Sequence, residues 1–406
     1  MVPKAADDRH RSAGRRAEGD STINRAPDHL VLLDVLRAVS ALLVAVGHVR
    51  GFFFESIQKV DDSNPLTLAF YLVTSLQHEA VVVFFVISGY LVGGPVVERV
   101  LRRQFDPLAY FLHRFARIYI VLIPSIALAA ILAFAGLTLF ADTRFYAPGP
   151  LFPSGFDTVW TWRQVPCHLL SVQGIVCRAF DFSPTLWSLG HEWLYYMAFP
   201  VLVLALLLPR RRWAGAVLFG GLVVALWSVF PRATFWLTWP LYWVLGAASA
   251  CVFRRWPVPA GPALLAAGLA LAAFPVSRIG VVPPQVTDLT IAAGLAVALA
   301  SPFVFRFRVL PRLSAWSAGF SYSLYAIHVP VGVFVAAALS GWLSSADLAP
   351  PGAGPFAAFA LVMAAVILAA KGFAAVTEDR TDAFRRWLET RLRRSGPERA
   401  AKPDVR

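Results

Sequence analysis

The stretch LDVLRAVSALLVAVGHVRGFFF, residues 33–54, decides the fold class. It is long enough to cross a bilayer as one helix, because roughly 20 apolar residues span the hydrocarbon core. Comparable apolar stretches recur as far as Val376, and the chain is 58% hydrophobic but only 15% charged. A soluble protein of ordinary composition has about 25% charged residues. The sequence therefore predicts an all-α, polytopic membrane protein.

We predict about ten transmembrane helices from these apolar stretches. Every second loop lies on the same side of the predicted helices, and the loops of one side contain an excess of Lys and Arg. Loops with such an excess stay on the cytoplasmic side. With an even number of helices, both termini are therefore predicted to be cytoplasmic. The predicted spans are 31–53, 69–97, 118–140, 184–208, 213–230, 235–253, 260–275, 287–305, 320–340 and 356–376.

Two polar tails flank the predicted transmembrane domain, residues 30–376. Residues 1–29 are basic and lack an apolar core, so we expect a disordered cytoplasmic tail. Residues 377–406 contain apolar side chains at helical spacing among arginines, which predicts a basic amphipathic helix on the inner leaflet. The net charge of +13 fits this arrangement, and no nucleic-acid-binding motif accompanies it. The apolar side chains of that helix are Phe384, Trp387, Leu388 and Leu392.

The cysteines leave one question open. Cys167 and Cys177 both fall in the long loop predicted between residues 141 and 183. They would pair if that loop faces an oxidising compartment and would remain thiols if it does not. No spacing of His, Cys or acidic residues is typical of a metal site, so we expect no bound metal.

Ionisable residues inside predicted spans are candidates for a functional site, because burying one costs about 2.5 to 3.5 kcal/mol on insertion scales. Arg37 and His48 lie eleven residues apart in the first span. At about 100° per residue both project from one stripe of the helix. Asp34 lies one turn before Arg37 and can hold its guanidinium. Alternatively Arg37 extends to the headgroups and His48 makes a single interhelical hydrogen bond, but the shared stripe favours a function.

A pair of arginines precedes the third predicted span in the sequence HRFARIY, residues 113–119. Arg114 and Arg117 are three residues apart and therefore share one helix face. Two guanidiniums so arranged suit a ligand rich in phosphate, since each can bind oxygens bidentately. An isolated pair of this kind is also ordinary cytoplasmic-side charge.

Later spans contribute further candidates. Glu192 lies about two turns inside the fourth span, where a carboxylate needs an Arg or His partner from another helix. Trp187 precedes it and fits an interfacial aromatic belt. In isolation, three other polar residues are explained by contacts between helices: Ser88, Tyr325 and His328.

In this order the segments resemble the acyltransferase 3 family of membrane O-acyltransferases. The resemblance extends from Leu33 to about Val376, and each motif is weak alone, whereas five in order are specific. Four positions depart from the family pattern: Val82, Trp193, Leu194 and Ile327. The matching elements are LD-x-LR-A followed by His48, FFV-x-SG at 84–89, R-x-x-R-x-Y at 114–119, W-S-L-x-x-E at 187–192 and S-Y-S-L-Y-x-x-H-x-P at 321–330.

The resemblance implies transfer of an acyl group, acetyl by default, from acyl-CoA to a hydroxyl of a carbohydrate or glycosylated acceptor. It implies a multi-pass protein of the bacterial inner membrane, in contact with the lipid bilayer and using acyl-CoA as co-substrate without a bound cofactor. We expect His48 to deprotonate the acceptor hydroxyl, since an unperturbed His has a pKa near 6.5. The other expected roles are donor orientation or oxyanion support by Arg37, phosphate binding by Arg114 and Arg117, and orientation of His48 or pairing with an arginine by Glu192.

A transporter or flippase is the alternative class, because intramembrane Arg, His and Glu equally mark substrate or proton paths. Such a protein would need no acyl-CoA, and we find no convincing pair of inverted repeats. A scaffold or sensor would give no reason for the Arg37 and His48 stripe. A protein that passes the acyl group through the bundle to an acceptor outside would combine acyl transfer with transport. The sequence does not predict the oligomeric state.

Overall fold

The computed structural model is predominantly helical in the part of the chain that it describes, with two isolated β-bridges but no extended strand in those ranges. The described residues are 28–60, 64–147, 164–207, 217, 220–221, 234–306, 319–340 and 348–395. Their α-helices are α1 (Asp28–Phe53), α2 (Pro65–Thr74), α3 (Gln77–Ser88), α4 (Gly94–Leu101), α5 (Pro107–Leu139), α6 (Gln164–Leu169), α7 (Trp187–Leu207), α8 (Thr234–Arg255), α9 (Ala260–Ile279), α10 (Pro284–Leu299), α11 (Ser321–Ser340), α12 (Ala353–Val376) and α13 (Thr381–Ser395).

Within those ranges, 7 helices are long and apolar enough to cross a membrane, and α10 is a shorter apolar helix of 16 residues. The all-α, multi-pass fold is therefore confirmed. The predicted span 213–230 falls on residues of which only 217, 220 and 221 are described. Every other predicted span overlaps one described helix, except that the span 69–97 extends over parts of α2 and α4 and the whole of α3. The total of ten spans and the cytoplasmic position of both termini stay predictions.

The predicted start of the third span, residue 118, is wrong by about three turns. Helix α5 begins at Pro107, and the side chain of Asp106 caps it by accepting hydrogen bonds at 3.0 Å from the N–H groups of Leu108 and Ala109. A hydropathy pattern misses these first turns because they carry the polar HRFAR segment. Arg114 therefore lies inside the helix rather than in a loop.

Helix α3 continues into α4 through a π-helical turn, Gly89–Gly93. This turn packs against α8, and a Cβ atom at Gly89 would collide with the backbone carbonyl of Trp243. The contact is reciprocal, because a Cβ atom at Gly246 would collide with the carbonyl of Val86. Glycine is therefore required on both helices for the backbones to approach this closely.

The helices of the bundle run between two ends. We call the end where α1, α5 and α11 begin the proximal end, and the opposite one the distal end. Helix α1 packs against α3, α11 and α12, and α13 packs against α5 at the proximal end. The position of α13 on the inner leaflet stays a prediction.

A compact loop at the distal end precedes α7. Cys167 and Cys177 form a disulfide there, which resolves the open question in favour of pairing. Disulfides persist in oxidising compartments, which agrees with the outer position predicted for this loop. His168 is buried in the same loop and stacks on Phe180 with ring centroids 3.6 Å apart. Burial lowers the pKa of His168 below its ordinary value.

Candidate functional site

Two histidines from distant parts of the chain meet inside the bundle. Nδ1 of His48, on α1, lies 3.0 Å from Nε2 of His328, on α11, and the ring centroids are 5.1 Å apart. His328 is fully buried. Its Nδ1 lies 2.9 Å from the carbonyl oxygen of Tyr325 and 3.1 Å from that of Leu324. His328, predicted as a supporting residue, therefore contacts the predicted catalytic histidine directly.

The hydrogen-bond partners assign the tautomers of this pair. Carbonyl oxygens only accept, so Nδ1 of His328 carries the proton. In the neutral ring, Nε2 of His328 then has a lone pair and accepts a hydrogen bond from Nδ1–H of His48. Nε2 of His48 is consequently left with its own lone pair, which is the state that a general base requires.

A cavity of about 480 Å³ opens between α1, α3, α5, α7, α11 and the segment that leads into α13. We call it the proximal cavity. Tyr325 lies in its wall, one turn from His328, and its ring centroid is 6.1 Å from that of His328. Because α11 begins at the proximal end, this wall is the deep end of the cavity. Three predicted arginines line the same cavity: Arg37, Arg114 and Arg117.

Each of these arginines is held differently. Nη2 of Arg37 lies 3.1 Å from a carboxylate oxygen of Asp34, the pairing that their spacing predicts. Arg114 bonds the adjacent His113 at 2.7 Å and lies over the ring of Tyr196, 5.4 Å from its centroid. Among the ion pairs of the described residues none involves Arg114.

Arg117 makes the long-range contact of the three. Its Nη2 lies 3.3 Å from Oε1 of Glu378, and its guanidinium lies 5.1 Å from the centroid of the Tyr322 ring. Glu378, together with Asp379, Asp382 and Glu192, also lines the cavity. The lining is thus of mixed charge, with guanidiniums and carboxylates facing one space.

Glu192 is satisfied by hydroxyl groups rather than by the expected Arg or His. Oε1 of Glu192 accepts from Ser88 Oγ at 2.8 Å and from the Tyr196 hydroxyl at 2.5 Å. Ser88 in turn accepts a hydrogen bond from the indole N–H of Trp243 at 3.2 Å. Across the described part of the chain, the ion pairs do not include Glu192. The simpler interpretation of Ser88 as a packing residue is therefore incomplete, since its hydroxyl binds a buried carboxylate.

Other supporting residues hold the deep wall in place. The hydroxyl of Tyr325 lies 2.6 Å from Ser188 Oγ and 3.2 Å from the carbonyl of Thr185. Trp187 packs edge-on against Trp239, with ring centroids 5.1 Å apart, and does not belong to the cavity lining. Sequence reasoning missed Ser188, Tyr196, Tyr322 and Glu378 as site residues. The family motif contains Ser188, whereas Glu378 lies in a segment that we treated as a tail.

The distal end carries a second, wider depression of about 970 Å³, which we call the distal groove. It lies between α1, α2 and α9, with mostly apolar walls. The guanidinium of Arg50 lies over the ring of Tyr71, 5.2 Å from its centroid. Its polar lining includes Arg50, Glu55, Gln58, Tyr71 and Arg278.

Two acidic residues inside predicted spans pair at this end. The Glu79 side chain is fully buried and forms an ion pair with Arg278. Asp288 lies 2.8 Å from Nε2 of His78. Both pairs join α3 to neighbouring helices, which explains these intramembrane charges by structure alone.

Comparison with known proteins identifies the family. The family model described as an acyltransferase domain matches residues 30–371. No curated protein and no solved structure matches the chain. The matched segment is well over half of the 406 residues and contains every predicted site residue from Asp34 to His328. The chain therefore belongs to the acyltransferase 3 family and is a multi-pass membrane acyltransferase.

Proposed function

We propose that the protein transfers an acyl group, acetyl by default, from acyl-CoA to a hydroxyl of a carbohydrate or glycosylated acceptor at the bacterial inner membrane. One observation carries this proposal. The proximal cavity joins three arginines at one end to Tyr325 at the other. The His48–His328 pair lies behind this wall and outside the cavity lining, with the ring of His328 6.1 Å from that of Tyr325. Its volume of about 480 Å³ lies within the roughly 300–1,000 Å³ typical of ligand pockets.

The donor is proposed to enter from the proximal end. Arg37 and His48 are separated by eleven residues of continuous helix, a rise of about 16 Å. An oxyanion at His48 is therefore beyond the reach of Arg37, so of the two roles predicted for Arg37 we retain donor orientation. A thioester on a long pantetheine arm fits this separation, with phosphates near Arg114 and Arg117 and the reacting carbonyl near the histidines.

The proposed chemistry uses His48 as a proton shuttle. Its Nε2 takes the proton of the acceptor hydroxyl as the oxygen attacks the thioester carbonyl carbon. The carbon–sulfur bond then breaks, and the same proton passes from His48 to the departing thiolate, giving CoA thiol and the acyl ester. His328 holds the His48 ring through the 3.0 Å contact, so that Nε2 keeps its lone pair.

The acceptor is proposed to approach from the distal groove. Arginine, carboxylate and amide side chains beside an aromatic ring are suited to a polyhydroxylated ligand, which needs both hydrogen-bond donors and acceptors. Ser75 lies in the groove wall, and Gln77, two residues later, packs directly on Gly47. Gly47 precedes His48, so this wall continues to the immediate neighbourhood of the proposed base.

Radiolabelled acetyl-CoA supplied to membranes containing the protein tests the proposal. Wild-type protein is expected to transfer label to a component of a cell-envelope and metabolite extract. His48→Ala is expected to lower the rate by about 10²–10⁴-fold, the usual contribution of general base catalysis. His78→Gln is the control, because it removes an imidazole at the distal end, away from His328. Since it also removes the imidazole contact with Asp288, the amount of each variant in the membrane is measured alongside.

The outcomes separate the hypotheses. Label transfer that survives His48→Ala would disprove the role of His48 but not the reaction. Absence of transfer with a panel of acyl-CoAs and acceptors would disprove the acyl-CoA donor and favour the transporter alternative. Isolation of the labelled product would identify the acceptor and the acyl ester formed.

A further inference from the structure

The chain beyond the matched domain returns to the proximal cavity. The family match ends at residue 371, and α12 ends shortly afterwards at Val376. A short 3₁₀ turn, Glu378–Arg380, follows and leads into α13. Glu378 is only 7% exposed, although it lies in a segment whose sequence has the composition of a polar tail.

Both carboxylate oxygens of Glu378 are engaged. Oε2 accepts hydrogen bonds at 3.0 Å from the backbone N–H and from the hydroxyl of Ser323. Ser323 lies in the first turn of α11, where the N–H groups lack partners within the helix and the helix dipole favours an anion. Oε1 is the atom that faces Nη2 of Arg117 at 3.3 Å. Glu378 thus ties the end of α12 to α11 and α5.

The contact has a direct effect on Arg117. A guanidinium has five N–H donors in a fixed plane, and Glu378 engages one of its nitrogens. With the ring of Tyr322 against it, the plane of Arg117 is set before any ligand arrives. The guanidinium keeps further donors for a second anion, which is the arrangement that bidentate phosphate binding needs.

We propose that Glu378 is a positioning residue of the donor site, which orients Arg117 for the phosphates of the donor. The segment after the family domain is then a part of the acyltransferase site and not an appended tail. This inference rests on the proposed function, since it takes a phosphate-bearing acyl donor as given.

A carboxylate at this place has a second conceivable effect of opposite sign. It would repel the donor phosphates, so that removing its charge would tighten donor binding. The positioning role requires weaker binding instead, because a guanidinium without its anchor loses its preset geometry. The direction of the change in affinity therefore decides between the two roles.

The test compares Glu378→Gln with Glu98→Gln in the full-length protein. The first variant keeps the shape of the side chain and removes its charge. The second removes the same charge from another arginine-paired glutamate, which contacts Arg102 and Arg254 and lies outside the proximal cavity. We expect Glu378→Gln to weaken binding of CoA, measured with radiolabelled CoA, by about tenfold, as expected for losing one charged hydrogen bond. Glu98→Gln is expected to bind CoA like wild type.

A second readout separates positioning from a general structural role. Transfer from S-acetyl-N-acetylcysteamine, a thioester without phosphates, is expected to be the same in Glu378→Gln as in wild type. In Glu378→Gln we expect the KM for acetyl-CoA to rise and the KM for S-acetyl-N-acetylcysteamine to stay at the wild-type value. Ser323→Ala, which removes one of the two donors to Oε2 of Glu378, is expected to change CoA binding in the same direction but less.

Each result bears on the proposal. Tighter CoA binding by Glu378→Gln would overturn it in favour of repulsion, and equal losses with both thioesters would overturn it in favour of a structural role. Wild-type protein that transfers from acetyl-CoA, with Glu378→Gln behaving identically, would overturn this inference and leave the proposed function standing. Wild-type protein that neither binds CoA nor transfers from it would overturn both.

Discussion

The proximal and distal ends of the bundle both hold arginines near a cavity, but they stabilise them by different means. At the distal end, Arg278 pairs with the fully buried Glu79, and a disulfide closes the neighbouring loop. At the proximal end, the anchoring carboxylate of Arg117 comes from beyond the matched domain, and Arg114 is held by rings. The distal end therefore resembles a cross-linked scaffold, whereas the proximal end keeps guanidinium donors available for a ligand.

Removing the proximal arginines is the strongest test of the difference between the two ends. Arg114→Ala combined with Arg117→Ala is expected to weaken CoA binding by about a hundredfold, since each charged contact contributes roughly 1.5 to 3 kcal/mol. The matched control is Arg103→Ala combined with Arg386→Ala, two exposed arginines elsewhere in the described chain. Unchanged saturation by acyl-CoA in the first variant would rule out phosphate binding by this pair.

The scaffold character of the distal end is tested by removing its disulfide. Cys167→Ser combined with Cys177→Ser is expected to lower the stability of the distal loop by about 2 kcal/mol, near the low end for disulfides because the closed loop is short. Limited proteolysis in detergent measures this opening. CoA affinity is expected to stay at the wild-type value, and a parallel loss of affinity would show that the two ends are coupled.

Because the two cavities lie at opposite ends, a substitution in the distal groove is expected to weaken acceptor binding without weakening donor binding. Arg50→Gln is expected to raise the KM for the acceptor by about tenfold, the cost of one hydrogen bond to a charged group. The KM for acetyl-CoA should not move. Lys59→Gln removes an equal charge at the same end, outside the groove lining, and an equal effect there would argue against a specific role for Arg50.

The smallest effect concerns pH. The pKa of His168 is lowered by burial, so the folded loop binds a proton less readily than the unfolded one. Above about pH 6.5 the imidazole is neutral in both states, so the free energy of unfolding keeps its full value. Below that pH the unfolded loop binds the proton more readily, and the free energy of unfolding falls by at most about 1.4 kcal/mol per pH unit. Thermal unfolding at pH 7.5 and 5.5 should show a smaller difference in His168→Gln than in wild type. Equal pH dependence in both would contradict this origin.

Local periodicity accounts for what the sequence predicted well. Asp34 and Arg37 pair because they lie three residues apart on one helix, and any helical assignment predicts that contact. The family motifs selected Arg114, Arg117 and Glu192, which line one cavity although no spacing rule connects them. The same motifs contain His48 and His328, which meet outside that lining. Helical spacing predicts which residues share one face of a helix, but it does not predict which other helix packs against that face.

Contacts over long sequence separations were out of reach for the same reason. His48 and His328 are 280 residues apart, and Ser88 and Glu192 are 104 residues apart. Their meeting depends on how several helices pack, including the close approach at Gly89 and Gly246. The charge and polarity of residues 377–406 predict an exposed tail, so they do not predict the burial of Glu378. That burial arises only because the chain returns over α5.

The orientation of His328 has a consequence for the stoichiometry of the reaction. Because its Nδ1–H is committed to two backbone carbonyls and its Nε2 to His48, the histidine pair has one vacant acceptor atom, Nε2 of His48. Only one proton can be held there at a time, and the thiolate of each departing CoA must collect it before the next acceptor reacts. Acyl transfer at this site is therefore expected to release no net proton, so each turnover would return the pair to its starting charge.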